Sequence, residues 1–465
     1  MPESILFLTG RLAEPSLLRV LDGMQPAPFQ HTVLTLSLQV AGLMTSDMIL
    51  RRLSGVAGAS RVMVPGRCRG DLDQLSSHFG VPFVRGPDDL KDIPRFFGRS
   101  GAPLDLSKHD VRIFAEIVDA PHMSIDAILE QAAAYRNAGA DVIDLGCLPQ
   151  TPFPHIGESV AALHAAGFQV SVDSMDPQEL LRGGRAGADF LFSLNAKTLW
   201  IADEVGSVPI LVPAKPGSLR SLLRAIELME RKARPFLADP ILDPIHFGFT
   251  ESIVRYHELR RRLPELQILM GTGNLTELTD ADTLGVQTLL MGIVSELRIG
   301  NILTTQVSAH ASGVVAEADA ARRMMHAARE ARDLPRNFGD SLLALHSLDP
   351  FPWTTGEIAA TAAQVKDPSF RVQISAEGLH VYNRDGMHSA TDPFTLLPRL
   401  GLENDGSHAF YMGVELARAQ IAWQLGKRYN QDRELDWGVG KLRESGNAGA
   451  RHAPASRTGK TEAGS

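Results

Sequence analysis

Seven polar residues stand where this chain could do chemistry: Asp144, Asp173, Asn195, Lys215, Asp239, Asp243 and Asn274. Asp144 and Asp173 sit at the carboxyl edge of the apolar runs Val142–Leu145 and Gln169–Val172, and Asn195 follows the run Phe190–Leu194. Carboxylates only accept hydrogen bonds, whereas carboxamides both donate and accept. Such a set at one face suits a flat heterocycle with amidine-like N–H donors and ring acceptors.

Each residue also has a plainer duty to weigh. Asp173 could cap the helix that follows, but Asp176 is better placed for it. Asn195 could cap the segment starting Ala196-Lys197-Thr198. Asp239 ends the run before Pro240, and Asp243 repeats the Asp-Pro pair. With Thr250 reading as the cap of the next helix, one of these two acids is expected to be free, Asp239 first because it follows the strand directly. Asn274 lies on a Gly-rich loop, where a left-handed turn Asn is the ordinary explanation. Lys215, in PAKPG, could be a solvated loop charge.

The elements that hold these residues repeat. Continuous apolar runs joined by helical segments read as buried parallel strands with crossover helices. The phrase AGAD occurs at 138–141 and again at 186–189, with Gly139 and Gly187 suited to end a helix before a strand. Strands are expected at Arg112–Val118, Val142–Leu145, Gln169–Val172, Phe190–Leu194, Ile210–Val212, Pro235–Ala238, Gln267–Met270 and Asn301–Thr304. That succession has the count and length of a (β/α)8 barrel, whose chemistry lies at the carboxyl ends of its strands.

The fold expected is therefore α/β: a TIM barrel over 108–334, an N-terminal α/β domain over 1–103, a small C-terminal α+β domain over 335–437, and a disordered tail over 438–465. In the N-terminal part, Ile5–Leu8, Thr32–Leu38 and Arg61–Val64 read as strands. The third enters the turn Pro65-Gly66-Arg67-Cys68-Arg69-Gly70-Asp71, which could hold an anion. Without a GxGxxG the plainer reading is a tight turn with solvated arginines. A Gly98–Pro103 linker follows. Phe370–Ser375 and Leu379–Asn383 read as a hairpin.

At 465 residues the chain is long enough for two or three domains, and its net charge of −8 with no long basic run argues against nucleic acid or an anionic membrane as partner. No signal peptide is read and no run reaches the ~18 apolar residues needed to span a bilayer. Two distant cysteines, Cys68 and Cys147, give neither a disulfide framework nor a zinc pattern, so a cytoplasmic protein with no metal is expected. A homodimer is an open option.

The motifs over about 110–315 resemble the pterin-binding family, the dihydropteroate synthases and pterin-dependent methyltransferases. GADVIDLG, VSVDS and LFSLNA are similar to the synthase motifs of the second, third and fourth strands, and ADPILDPIHFGF to the sixth-strand DPGIGF. The resemblance implies that Asp173, Asn195 and Asp239 or Asp243 hold a reduced pterin of dihydropterin or tetrahydromethanopterin type. Two motifs depart. IVDAPHMS replaces the synthase's first diphosphate-binding loop, and Gly273-Asn274-Leu275 replaces its seventh-strand Ser-Arg-Lys. GTGNLTEL is instead similar to the Asn-bearing stretch of methyltetrahydrofolate–corrinoid methyltransferases, which implies a role for Asn274 near pterin N5; the corrinoid would then come on a partner protein. The longer run GTGNLTELTDADTLG with SELRIGNILTTQVS resembles the dihydropteroate synthase-related proteins found alongside tetrahydromethanopterin synthesis. A transferase of pterin biosynthesis or one-carbon metabolism is implied, with a non-catalytic pterin-binding scaffold as the alternative.

Overall fold

The computed structural model describes residues 3–24, 27–98 and 105–441. Most of the expected linker and the tail from residue 442 lie outside these. Two compact units form, one from Met1–Asp105 with Leu345–Asp436, the other from Leu106–Ala344 with the segment starting at Trp437.

The first unit opens with β1 (Ser4–Thr9), β2 (Gln30–Thr35), β3 (Arg61–Val64) and β4 (Phe83–Arg85), a parallel sheet in the order β2-β1-β3-β4. Its helices are α1 (Glu14–Gly23), α2 (Ser46–Arg52), α3 (Leu72–Phe79) and α4 (Ile93–Phe97). Strand alternation sends Ile5, Phe7 and Met63 to the face packed on Leu17, Leu21, Ile93 and Phe97. Leu6, Leu8, Val62 and Val64 pack on the other face against Ile49, Leu72 and Leu75. Helices thus cover both faces, the doubly wound arrangement.

The second unit holds β5 (Arg112–Ile117), β6 (Val142–Gly146), β7 (Gln169–Asp173), β8 (Phe190–Leu194), β9 (Val208–Leu211), β10 (Leu237–Ala238), β11 (Leu269–Gly271) and β12 (Asn301–Thr305). They run parallel in the order β10-β9-β8-β7-β6-β5-β12-β11, and a bridge between Ala238 and Ile268 joins the two ends of that order. The result is a (β/α)8 barrel, the architecture expected from the eight apolar runs. Helix starts follow the sequence: Ser124 accepts from Ala127 N at 3.2 Å and Asp176 from Gln178 N at 2.8 Å. One start differs. The helix after β10 begins at Phe249 with Gly248 as its cap at φ 119°, not at Thr250. The glycine admits a backbone that a side chain would strain.

Alternation also fills the barrel. Phe114, Val142, Phe190, Phe192, Ile210, Leu237 and Leu269 make its inner core. One step on toward the carboxyl ends, the register sets Glu116 beside Asp144 and Asp144 beside Ser171. The first unit ends in β13 (Arg371–Ser375), β14 (Gly378–Asn383) and β15 (Gly386–Ala390), an antiparallel sheet against the helix Gly406–Leu425. The expected hairpin is its first two strands; β15 is too polar to read as a strand.

Candidate active site at the carboxyl ends of the barrel strands

An aromatic plug floors the site and acids line it. Asp144 is fully buried. Its Oδ1 accepts from Ser171 Oγ at 2.5 Å, while Oδ2 is buried with no partner. Burial first, then the charges of Asp173 and Glu116, push its carboxyl well above the usual range, against the Ser171 bond.

Asp173 ends β7 and accepts from Ser193 Oγ at 2.7 Å. Ser193 sits at a register shift in β8 with φ 62°, and that irregular backbone accompanies a hydroxyl turned to the carboxylate. Burial raises the Asp173 pKa and the serine bond opposes it.

Asp239 is 8% exposed. Its Oδ1 takes two bonds, from Tyr256 Oη at 2.6 Å and from Ile241 N at 2.7 Å. Burial still pushes its pKa up to about 6.

Glu116 on β5 completes the set, a residue outside the seven that the sequence singles out. It lies against Gly146, where a Cβ would come within 2.6 Å of Oε1. The glycine is what gives the glutamate room. Burial, then the charges of Asp173 and Glu277, push its pKa up to about 7. Its signal was an acid two residues after Phe114 in an apolar strand, hence on the same inward face.

The other expected residues fall differently. Asp243 is bound by Arg255 at 2.5 Å, and the same guanidinium holds Ile241 O at 2.8 Å, so this acid fastens the loop after β10. Asn195 closes a turn and caps no helix: its Oδ1 accepts from Lys197 N at 3.0 Å, while the next helix, Ile201–Glu204, starts after Trp200. Asn274 is exposed on a short helix after β11, with Nδ2 bonded to Leu242 O at 2.7 Å, which links the β10 and β11 loops. Lys215 is exposed on the loop after β9, and among the described residues nothing ties its ammonium to the carboxylates. All follow strand ends of a parallel barrel, so all lie at one rim.

Among the described residues no Lys or Arg pairs with Glu116, Asp144 or Asp173, and no group of three or more His, Cys, Asp or Glu is placed to hold a metal ion. Acids this close and this desolvated cannot all ionise near neutrality; they keep protons that isolated carboxyls have lost. The set can accept N–H donors, stabilise a cation, and give or take a proton near pH 6–7.

Residues 3–88 match a family of unknown function, DUF6513. The chain is 26% identical over 526 residues to an uncharacterized protein, MJ0107, of Methanocaldococcus jannaschii, covering 93% of this chain and 98% of that one. Similar solved structures include a dihydropteroate synthase of Yersinia pestis with a sulfonamide, at TM-score 0.40 and 18% identity over 50% of this chain and 97% of that one. A Coxiella burnetii dihydropteroate synthase with pteroic acid gives 0.39 and 16% over 48% and 94%. The barrel itself is established by its own strand order. No helix among the described residues is long and apolar enough to cross a membrane.

Proposed function

We propose that the barrel binds a reduced pterin, of dihydropterin or tetrahydromethanopterin type, and acts as a transferase in the biosynthesis of that class of cofactor. The observation that carries this is the inward set Glu116, Asp144, Asp173 and Asp239, buried acids around one mouth with no ion pair among the described residues. An amino-pyrimidine edge offers paired N–H donors, and buried carboxylates are the acceptors that gain most from them. Asp239 is preferred to Asp243 for that edge because Arg255 already neutralises Asp243. The quoted sequence motifs supply the pterin class.

As a synthase the barrel would let an arylamine nitrogen attack the pterin methylene. The C–N bond forms, the C–O bond to diphosphate breaks, and the amine proton passes to a carboxylate. Lys215 would meet the departing diphosphate. Methyl transfer is the second reading, favoured by Asn274 in place of the synthase lysine and by Glu116, which near pH 7 can hand a proton to a ring nitrogen.

Titration of the full chain with 7,8-dihydropterin and with tetrahydropterin, followed by pterin fluorescence, tests the reading. Saturable binding is expected, weakened at least tenfold in Asp239→Asn and within threefold in Asp243→Asn. No saturable binding of either pterin would remove the proposal.

A further inference from the structure

The first unit holds a cavity of about 420 Å3 that the barrel chemistry does not use. Its place in the fold is informative. In the sheet order β2-β1-β3-β4 the chain leaves β1 toward one side and β3 toward the other, so the crevice between their carboxyl ends is a topological switch point, where open α/β sheets bind ligands. The cavity is lined there by Thr9 at the end of β1 and by Val64, Pro65 and Gly66 at the end of β3. Gly66 is required: a Cβ would lie 2.6 Å from the Pro87 carbonyl and 2.7 Å from Asp88 N.

Residues between 350 and 431 also line it, including Trp353, Tyr382 and Tyr429. Their polar ends are already bonded, two of them to lining residues, Asp89 and Gln373. Trp353 Nε1 donates to Asp89 at 3.0 Å, Tyr382 Oη to Gln373 at 2.7 Å and Tyr429 Oη to Glu415 at 2.7 Å. Their rings are left as apolar walls. Among the charged lining residues, Arg371 is paired with Asp367 at 2.8 Å, Arg428 with Asp92 at 2.6 Å and Asp88 with Arg433 at 3.4 Å. Asp89 accepts from Lys91 N as well as from Trp353. Arg67 differs. Its guanidinium donates to the neutral carbonyl of Gln431 at 2.9 Å, and no acid pairs with it among the described residues. The plain reading of its turn as one of solvated arginines therefore fits Arg69, which is exposed, and not Arg67, which is half-buried at the cavity wall.

We propose that this cavity is a second small-molecule site, separate from the barrel mouth, for an aromatic carboxylate whose ring lies among the apolar walls and whose charge meets Arg67. A mainly apolar cavity of this size with a cation in its wall that no acid among the described residues neutralises suits a small organic acid.

Calorimetric titration of the full chain with 2-naphthoate, and with neutral 2-naphthamide as its isostere, tests this. One naphthoate per chain is expected, with naphthamide about tenfold weaker or worse because it lacks the charge-assisted bond. Arg67→Met keeps the side-chain stem and should erase that preference. Ser16→Trp, at the half-buried lip, should abolish binding of both while circular dichroism and Tm stay at parental values. Asp173→Asn in the barrel should change neither, which separates this result from the fate of the pterin proposal. No saturable naphthoate binding, or binding indifferent to both Arg67→Met and Ser16→Trp, would overturn the proposal.

Discussion

The two ends of the barrel treat charge in opposite ways. At the amino ends of the strands, Arg322 is 2% exposed and bonded to Asp141, Asp319 and the carbonyls of Val111 and Gly139. Asp141 and Asp319 share this one guanidinium, and it has several acceptors. At the carboxyl ends, Glu116, Asp144 and Asp173 gather with no paired cation among the described residues, and Asp144 Oδ2 is buried without a hydrogen-bond partner there. The first arrangement binds the barrel's parts together. The second costs stability through desolvation and mutual repulsion, and such a cost persists where a ligand or a reaction uses it. The lower end ties the fold together; the upper end costs stability, as the proposed pterin site would require.

The comparison is broken most severely from below. Arg322→Ala takes one donor from each of two acids and two carbonyls, leaving Asp319 with Arg323 and Asp141 with Ile113 N, and should cost about 3–5 kcal/mol in urea unfolding. Pterin affinity of the folded fraction should stay at the parental value. A large loss of affinity at intact stability would mean that the lower end also serves the ligand.

From above the sign reverses. The Glu116 pKa is raised from about 4.5 unfolded to about 7 folded, so between those values the folded state binds more protons. Stability then falls as pH rises from about 4.5 to 7 and levels off above. Glu116→Gln has no such charge to bury. It should exceed the parent by about 2–3 kcal/mol at pH 8 and match it near pH 5. A variant less stable than the parent at pH 8 would show that the glutamate is paid for by contacts within the protein.

A smaller effect separates neighbours at the same rim. Asp243→Asn weakens the Arg255 pair and should lower stability by about 1 kcal/mol while leaving pterin affinity within threefold. Asp239→Asn should do the reverse. The smallest effect is expected of Lys215→Ala, within ~0.5 kcal/mol of the parent by thermal unfolding because its ammonium touches nothing fixed. Any role it has must then emerge in turnover alone.

Legibility in the sequence followed the range of the forces involved. The eight barrel strands were readable because each is a local apolar run with a marked helix after it, and Asp173 and Asp239 because they close such runs. Glu116 was missed because its strand looks continuous; only inward alternation, fixed by the closed sheet, brings it to Asp144. Asp243 could not be sorted from Asp239 by pattern, since Arg255, twelve residues on, reaches it only through the helix Phe249–Arg262. The short edge strand β4 was missed for want of length. The Arg67 setting depends on Gln431, and no local pattern joins residues that far apart.

A crystal of the full chain soaked with 7,8-dihydropterin tests the central claim most directly. The expected result is density for the ring at the carboxyl ends of the strands, with its amino-pyrimidine edge within hydrogen-bond distance of Asp239 or Asp173. A fully occupied pterin elsewhere, or an empty mouth at saturating pterin, would contradict it.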